Sequence, residues 1–269
     1  MQPRERGRPP GSAPPDPRRI GRRETAPPVA RPPQPVPPSA WMLPDPGTAD
    51  EDGVVGVGAD LAPPTLVDAY RRGIFPWPHP GVPLPWFSPD PRGVIELDGV
   101  HVPRRLRTRL RGCGWTATID RAFDDVVAAC ADRDPEVGTW ITGDLRRAYG
   151  RLHRLGWAHS VEIWAEDRLV GGLYGVQLGG VFTGESMFHG EPDASKAALL
   201  ELVARLSEAG GDLLDVQLVT PHLARMGARE LRRERFLSRL HVVRDRDVRL
   251  ALDARPVARL GEGGHEPPW

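Results

Sequence analysis

The chain of 269 residues contains no asparagine, and only one of its 36 basic residues, Lys196, is a lysine. Such a bias fits a GC-rich genome in which arginine replaces lysine wherever either serves. An ammonium point charge differs from a planar guanidinium in shape and hydration, so Lys196 either marks a place that demands the compact cation or is a chance survivor of the bias. Cysteine is nearly absent as well. Cys113 and Cys130 form no close-spaced pair and have no histidine neighbours at metal-ligand spacing, which fits reduced, structural thiols. No stretch approaches the 18 apolar residues of a membrane span, and the N-terminus lacks the apolar core of a secretory signal. A cytoplasmic protein with no membrane partner is expected. Acids number 36 against 36 bases, so the chain is no bulk nucleic-acid coat, and any polyanion must meet a local patch.

Residues 1–40 hold 13 of the 31 prolines and eight arginines against three acids, with no aromatic residue. Such a segment cannot bury enough apolar surface to offset its ordering entropy, and a disordered tail is expected there. A small N-terminal domain is expected over 41–91, a larger domain over 92–243, and a C-terminal tail over 244–269. The candidate polyanion patch is Arg104, Arg105, Arg107, Arg109 and Arg111, with no acid among them. Leu106 and Leu110 lie one helical turn apart, so a helix docked by two leucines would show its arginines to solvent, either to meet a polyanion or as a plain solvated face.

Periodicity orders the rest. Pro63 to Arg72 reads as a helix opened by proline and closed by Gly73. The Pro85 to Arg92 segment is too proline-rich for regular structure, and Gly56-Val57-Gly58 lacks the third glycine of a dinucleotide loop. Helices follow at Asp120 to Cys130 and Thr142 to Leu155. His159 to Trp164, Leu169 to Leu178 and Val181 to Met187 read as three strands of an antiparallel meander. A helix capped by Asp193 then buries Leu199, Leu202, Val203 and Leu206 and stops at Gly210-Gly211. A strand over Leu213 to Val219 and a short helix over Pro221 to Met226 complete the pattern.

Residues two apart in a strand share a face, so Asp215 and Gln217 point together among apolar neighbours. Buried polar groups need partners, at a cost of roughly 1 to 3 kcal/mol when unpaired. Glu185 stands near the end of the third meander strand between Gly184 and Ser186. These three residues form either a structural hydrogen-bond network or a site.

Together with Gly73-Ile74-Phe75-Pro76-Trp77, Trp86-Phe87-Ser88-Pro89-Asp90-Pro91-Arg92, Gly138-Thr139-Trp140-Ile141-Thr142 and Ala158-His159-Ser160-Val161-Glu162, they resemble the leucyl/phenylalanyl-tRNA-protein transferase family from about residue 41 to 240. The resemblance implies an α+β fold, with a small N-terminal domain followed by an N-acetyltransferase-like domain whose mostly antiparallel sheet is flanked by helices. It also implies transfer of leucine or phenylalanine, and methionine less well, from the 3' end of aminoacyl-tRNA to the N-terminal Arg or Lys of an acceptor protein. Such a modification marks the acceptor for degradation. No metal and no cofactor are implied, and a monomer is expected.

By motif, Asp215 and Gln217 match the catalytic pair, with Glu185 beside them. Tyr70, Trp77, Trp140 and Tyr149 would hold the terminal adenosine or frame the site, and Ser186 would join them. Leu173, Phe182, Leu202, Leu206 and Leu214 would line the pocket for the transferred side chain. In this reading Asp215 orients and polarises the Gln217 carboxamide, whose oxygen receives a hydrogen from the attacking amine. Two rivals remain: an acetyl-CoA-dependent N-acetyltransferase, and a non-catalytic RNA-binding protein. The first needs a pyrophosphate loop where this chain has the acidic run Gly190-Glu191-Pro192-Asp193, and the second leaves the carboxylates idle.

Overall fold

A computed structural model of the chain describes residues 27–132 and 138–262. In chain order the strands are β1 (Val54–Val57), β2 (Phe75–Pro76), β3 (Pro85–Phe87), β4 (Arg92–Glu96), β5 (Thr116–Ile119), β6 (Ala158–Ala165), β7 (Arg168–Leu178), β8 (Val181–His189), β9 (Leu213–Gln217), β10 (Arg229–Leu231) and β11 (Arg255–Pro256). The helices are α1 (Pro63–Arg71), α2 (Arg104–Gly112), α3 (Phe123–Ala131), α4 (Gly143–Arg154), α5 (Ala194–Glu208), α6 (Pro221–Arg225) and α7 (Arg233–Val243).

Eight strands form one sheet in the order β10-β4-β9-β8-β7-β6-β5-β11, antiparallel except for the β8–β9 pair. The exception follows from topology, because α5 carries the chain from the end of β8 back to the start of β9, and such a crossover makes the two strands parallel. A smaller sheet, β1-β3-β2, precedes it. The α+β class is as expected, but Pro85 to Phe87 does enter regular structure. It is the central strand of the small sheet, paired with β1 on one side and β2 on the other, and Pro85 is tolerated there because it is the first residue of the strand.

Alternation along the strands feeds two apolar clusters, one on each face. Ile95, Leu173, Phe182 and Leu214 belong to the cluster beneath α5 and α2. Their neighbours Val94, Tyr174, Val181 and Leu213 belong to the other, shared with α1, α3, α4 and α7. Thr142 caps α4 by accepting from Leu145 N at 3.3 Å, as its position in the sequence predicts. Asp193 does not cap α5 in that way. Its backbone is left-handed (φ 71°) and its side chain makes no cap bond; its carboxylate pairs instead with Lys196, the lone lysine.

The boundaries expected at both ends need correction. Residues 27–40 pack against the body: Ala30 is buried, Val29 bridges to Ala251, and Trp157 Nε1 donates to Gln34 O at 2.8 Å. The tail expected over 1–26 lies outside the described residues. Residues 244–262 are no tail either, since β11 extends the sheet beside β5 and Leu250, Val257 and Leu260 are fully buried, while the tail expected over 263–269 lies outside the described residues. The cause is α5, whose sides are buried nearly all round, so its outer side needs a cover. Arg205, paired with buried Glu201, donates from Nη2 to Asp253 O at 2.8 Å, and Arg259 reaches Glu201 at 2.7 Å. Leu260→Ala is therefore expected to cost about 2 to 5 kcal/mol in urea unfolding; a loss within about 0.5 kcal/mol, as for a surface site, would count against this packing.

Candidate functional site

β9 ends abruptly, and its end makes the site. The strand was expected to continue to Val219, but Gln217 has a left-handed backbone (φ 57°) and Leu218 N turns back to Val216 O at 2.6 Å. A non-glycine residue in that region is uncommon and needs support from its surroundings. Asp215 supplies it, accepting from Gln217 N at 3.0 Å through Oδ1. Gly93 on β4 leaves room for the turn, because a Cβ there would lie 2.7 Å from the Leu218 carbonyl carbon.

Asp215 is completely buried and its oxygens are fully engaged. Arg92 grips it through two bonds, Nε to Oδ1 at 2.8 Å and Nη2 to Oδ2 at 2.7 Å, and Thr183 Oγ1 donates to Oδ2 at 3.1 Å. Arg92 spends its third arm on Gly73 O at 3.0 Å and lies against the Phe75 and Phe236 rings. The expectation that Asp215 polarises the Gln217 carboxamide therefore needs revision. Asp215 positions Gln217 through its backbone N–H. Arg92 is the residue that motif reading quoted without a role, and its only signal was an arginine closing a proline-rich run.

Glu185 has a different environment. Tyr70 donates to Oε1 at 2.7 Å, Tyr149 to Oε2 at 2.8 Å, and the two phenolic oxygens are 2.6 Å apart. Three oxygen contacts close a triangle, yet two phenols carry only two hydrogens. The third edge has a hydrogen only when Glu185 is itself protonated. Burial pushes the Glu185 carboxyl up to about 7 and the Asp215 charge adds to this, against the lowering effect of the two phenols. Burial, with the Glu185 charge, likewise holds both phenols well above their ordinary range. Tyr174 packs on Tyr149 with ring centroids 5.4 Å apart, so all three tyrosines of the chain meet here. That scarcity was the signal the sequence offered.

Glu185 and Gln217 open into one cleft of about 160 Å³, walled by Phe75, Pro76, Trp77, Trp140, Val216, Leu218, Thr220 and Leu223. Trp77 and Trp140 thus line the same cleft as the two polar groups. Leu173, Phe182, Leu202, Leu206 and Leu214 are buried together beneath α5 and do not wall the cleft, although Val216 and Leu223 belong to both. Ser186 follows Glu185 on β8, partly buried and paired in register with Tyr174. Leu106 and Leu110 dock α2, and Arg104, Arg105, Arg109 and Arg111 are exposed while Arg107 is half-buried. Arg109 reaches across to Pro192 O at 3.1 Å.

A further buried carboxylate, Glu162, was quoted in the sequence without a role. Glu162 accepts from Thr118 and Ser160, and burial pushes it up to about 7, with the Asp120 charge adding to the rise. Asp120 in turn holds His159 Nδ1 at 2.7 Å.

The fold and cleft are those of an α+β enzyme that brings a carboxylic acid and an amide to the wall of one largely apolar cavity. Comparison with known proteins makes the class specific. The family described as leucyl/phenylalanyl-tRNA protein transferase matches residues 94–241, and its N-terminal domain matches residues 59–90. A transferase of that name from Nitratidesulfovibrio vulgaris (strain DP4) is 50% identical over 208 residues, covering 77% of this chain and 89% of the relative. Another from Anaeromyxobacter sp. (strain K) is 52% identical over 200 residues, 74% of this chain and 86% of the relative. A third, from Xanthomonas campestris pv. campestris (strain 8004), is 49% identical over 208 residues, 77% and 82%. The chain belongs to the leucyl/phenylalanyl-tRNA protein transferase family, and is an aminoacyltransferase.

The raised Glu185 fixes a sign. An unfolded glutamate titrates near 4.3 and this one near 7, so between those values the folded state holds an extra proton and stability falls as pH rises. Glu162 acts in the same direction. Glu185→Gln removes one contribution, so its stability should decline less steeply from pH 5 to 7, by at most about 1.4 kcal/mol per pH unit. Urea unfolding at the two pH values measures this, and identical slopes would refute the assignment.

Proposed function

We propose that this enzyme transfers leucine or phenylalanine, and methionine less well, from the 3' end of aminoacyl-tRNA to the N-terminal Arg or Lys of acceptor proteins in the cytoplasm, marking them for degradation. The observation that carries the reading is a cleft of about 160 Å³ whose lining is apolar apart from the two indole N–H groups and Glu185, Gln217 and Thr220. An apolar cavity of about 150 Å³ accepts benzene, so an isobutyl or phenyl group suits this one. A shape-selective apolar wall discriminates by only about 1 to 3 kcal/mol per methylene, which fits leakage to methionine.

Val216 and Leu223 connect the cleft to the Leu173, Phe182, Leu202, Leu206 and Leu214 cluster, against which the transferred side chain would pack. The Trp77 and Trp140 indoles offer flat surfaces for the terminal adenosine. The acceptor's α-amine attacks the ester carbonyl, a C–N bond forms, and the ester C–O bond breaks. The nitrogen's proton is released and the terminal hydroxyl of the tRNA regains one. An α-amino group titrates near 7.7 to 8.0, so its neutral form costs only about 1 kcal/mol at pH 7. Gln217, fixed in its turn, offers the carboxamide oxygen to the amine hydrogen. Ionised Glu185 accepts from the acceptor's N-terminus, and proximity supplies the rest.

Gln217→Ala and Glu185→Ala should each lower transfer of radiolabelled leucine to an Arg-starting protein by at least about tenfold, near 1.4 kcal/mol. Wild-type turnover in both variants would remove these residues from the chemistry. Asp215→Ala should lose activity together with about 3 to 5 kcal/mol of stability, because it strands the buried Arg92 charge.

The α2 arginines lie apart from the cleft and would meet tRNA phosphates. Arg104→Glu with Arg105→Glu should raise KM for leucyl-tRNA and flatten its log-log salt dependence by roughly 0.7 to 0.9 for each phosphate no longer neutralised. Transfer from an aminoacyl-adenosine donor, which has no phosphate, should be unchanged. An equal loss on that small donor would mean that the helix serves the fold alone.

A further inference from the structure

The residues just before position 34 and those after α7 lie outside the segments that match the family, yet they meet each other. Ala30 N donates to Leu250 O at 2.8 Å, and Leu252 N donates to Pro28 O at 2.7 Å. Between these segments and the end of the meander lies a cavity of about 240 Å³, which shares no wall residue with the Glu185 cleft. His159 and Gln177 contribute to it from the sheet. Trp157, held by its bond to Gln34 O, forms part of the wall.

Its charge is unbalanced. Arg31, Arg71, Arg244, Arg246 and Arg249 line it against two acids, Asp245 and Asp247. Five positive charges less two negative leave three, with His159 counted as neutral. Both acids are already engaged. Arg249 holds Asp247 through two bonds at 2.6 and 2.5 Å, and Arg71 lies 2.8 Å from Asp245. Arg244 donates from Nη1 to Arg71 O at 2.6 Å, while its Nε is buried without a hydrogen-bond partner, 3.8 Å from the occupied Asp245. Arg31 and Arg246 are exposed and form no ion pair among the described residues.

A concave surface with surplus guanidinium groups selects an anion, and planar guanidinium forks match phosphate oxygens. Residues 1–26, which precede this segment in the sequence, add seven arginines against three acids. That continuation of positive charge favours a polymeric anion over a small one. We propose that this cavity is a second phosphate site, in which Arg31, Arg244 and Arg246 hold a backbone phosphate of the tRNA donor, separate from the α2 arginines and from the cleft. The inference rests on the donor being a tRNA.

The test uses the full chain and the charge-reversed variant Arg31→Glu/Arg246→Glu, with Arg31→Lys/Arg246→Lys as the variant that keeps the charge. The charge-reversed variant should raise KM for leucyl-tRNA by about tenfold at 0.1 M salt and flatten the salt slope by roughly 0.7 to 0.9 for each phosphate set free. Its kcat, and its transfer from aminoacyl-adenosine, should match wild type, and the lysine variant should stay near wild type in every measure. Filter binding of leucyl-tRNA separates this claim from the catalytic one: unaltered binding by the charge-reversed variant overturns the tRNA site whether or not transfer occurs. Melting with and without millimolar inorganic phosphate distinguishes the source of the anion. A phosphate-dependent rise in Tm that the charge-reversed variant loses, with tRNA affinity unchanged, would assign the cavity to a free phosphate compound and overturn the tRNA assignment. No change in either measurement would overturn an anion site altogether.

Discussion

The pair formed by Arg92 and Asp215 is the constraint on which the site depends. Both side chains are buried, and their two parallel bonds join the neighbouring strands β4 and β9. From the same guanidinium a third bond runs to Gly73 O, just beyond α1, and its faces rest on Phe75 and Phe236. One side chain therefore sets the relation of the small sheet, the large sheet and α7. Buried pairs of this kind add little net stability over an apolar filling, but removing one partner strands a charge. The arrangement thus acts on geometry. Asp215, held from three sides, fixes the Gln217 backbone in a conformation that a free strand end would not keep.

Across the same region of the sheet, Glu185 is governed by burial in place of ion pairing. Asp215 has a guanidinium within bonding distance; Glu185 has two phenols and a carboxylate for a neighbour. Two acids one strand apart are thereby separated in behaviour, one permanently engaged and the other able to exchange a proton near neutrality. The turn that takes Gln217 out of β9 borders the cleft, and apolar side chains from the clusters on both faces of the sheet wall it. Val216 and Leu223 come from the cluster beneath α5, and Phe75 from the cluster on the opposite face. The cleft lies where the strand stops.

Regions with strong local period were legible in the sequence. β6, β7 and β8, the helix α4 with its Thr142 cap, and the extent of α5 follow from alternation, spacing and glycine stops, because neighbours in sequence decide them. Asp215, Gln217 and Glu185 stood out for the same reason, as polar residues in apolar strands. Several short strands were not legible. β4, β5, β10 and β11 have two to five residues each, too few to show a period, and each is a strand only because a distant partner supplies its hydrogen bonds.

The sequence by itself determined the family, the meander and helix order, and which polar residues have no place in a plain core. Only the tertiary structure decided what each of them does. It gave Asp215 to Arg92, 123 positions away, and Glu185 to Tyr70 and Tyr149, 115 and 36 positions away. It turned the expected C-terminal tail into a cover for α5 and brought residues near 30 against residues near 250. Periodicity records which face of an element is apolar. It carries no information about which remote group will satisfy a buried charge or cover an exposed helix, because those choices depend on distances that exist only once the chain has closed on itself.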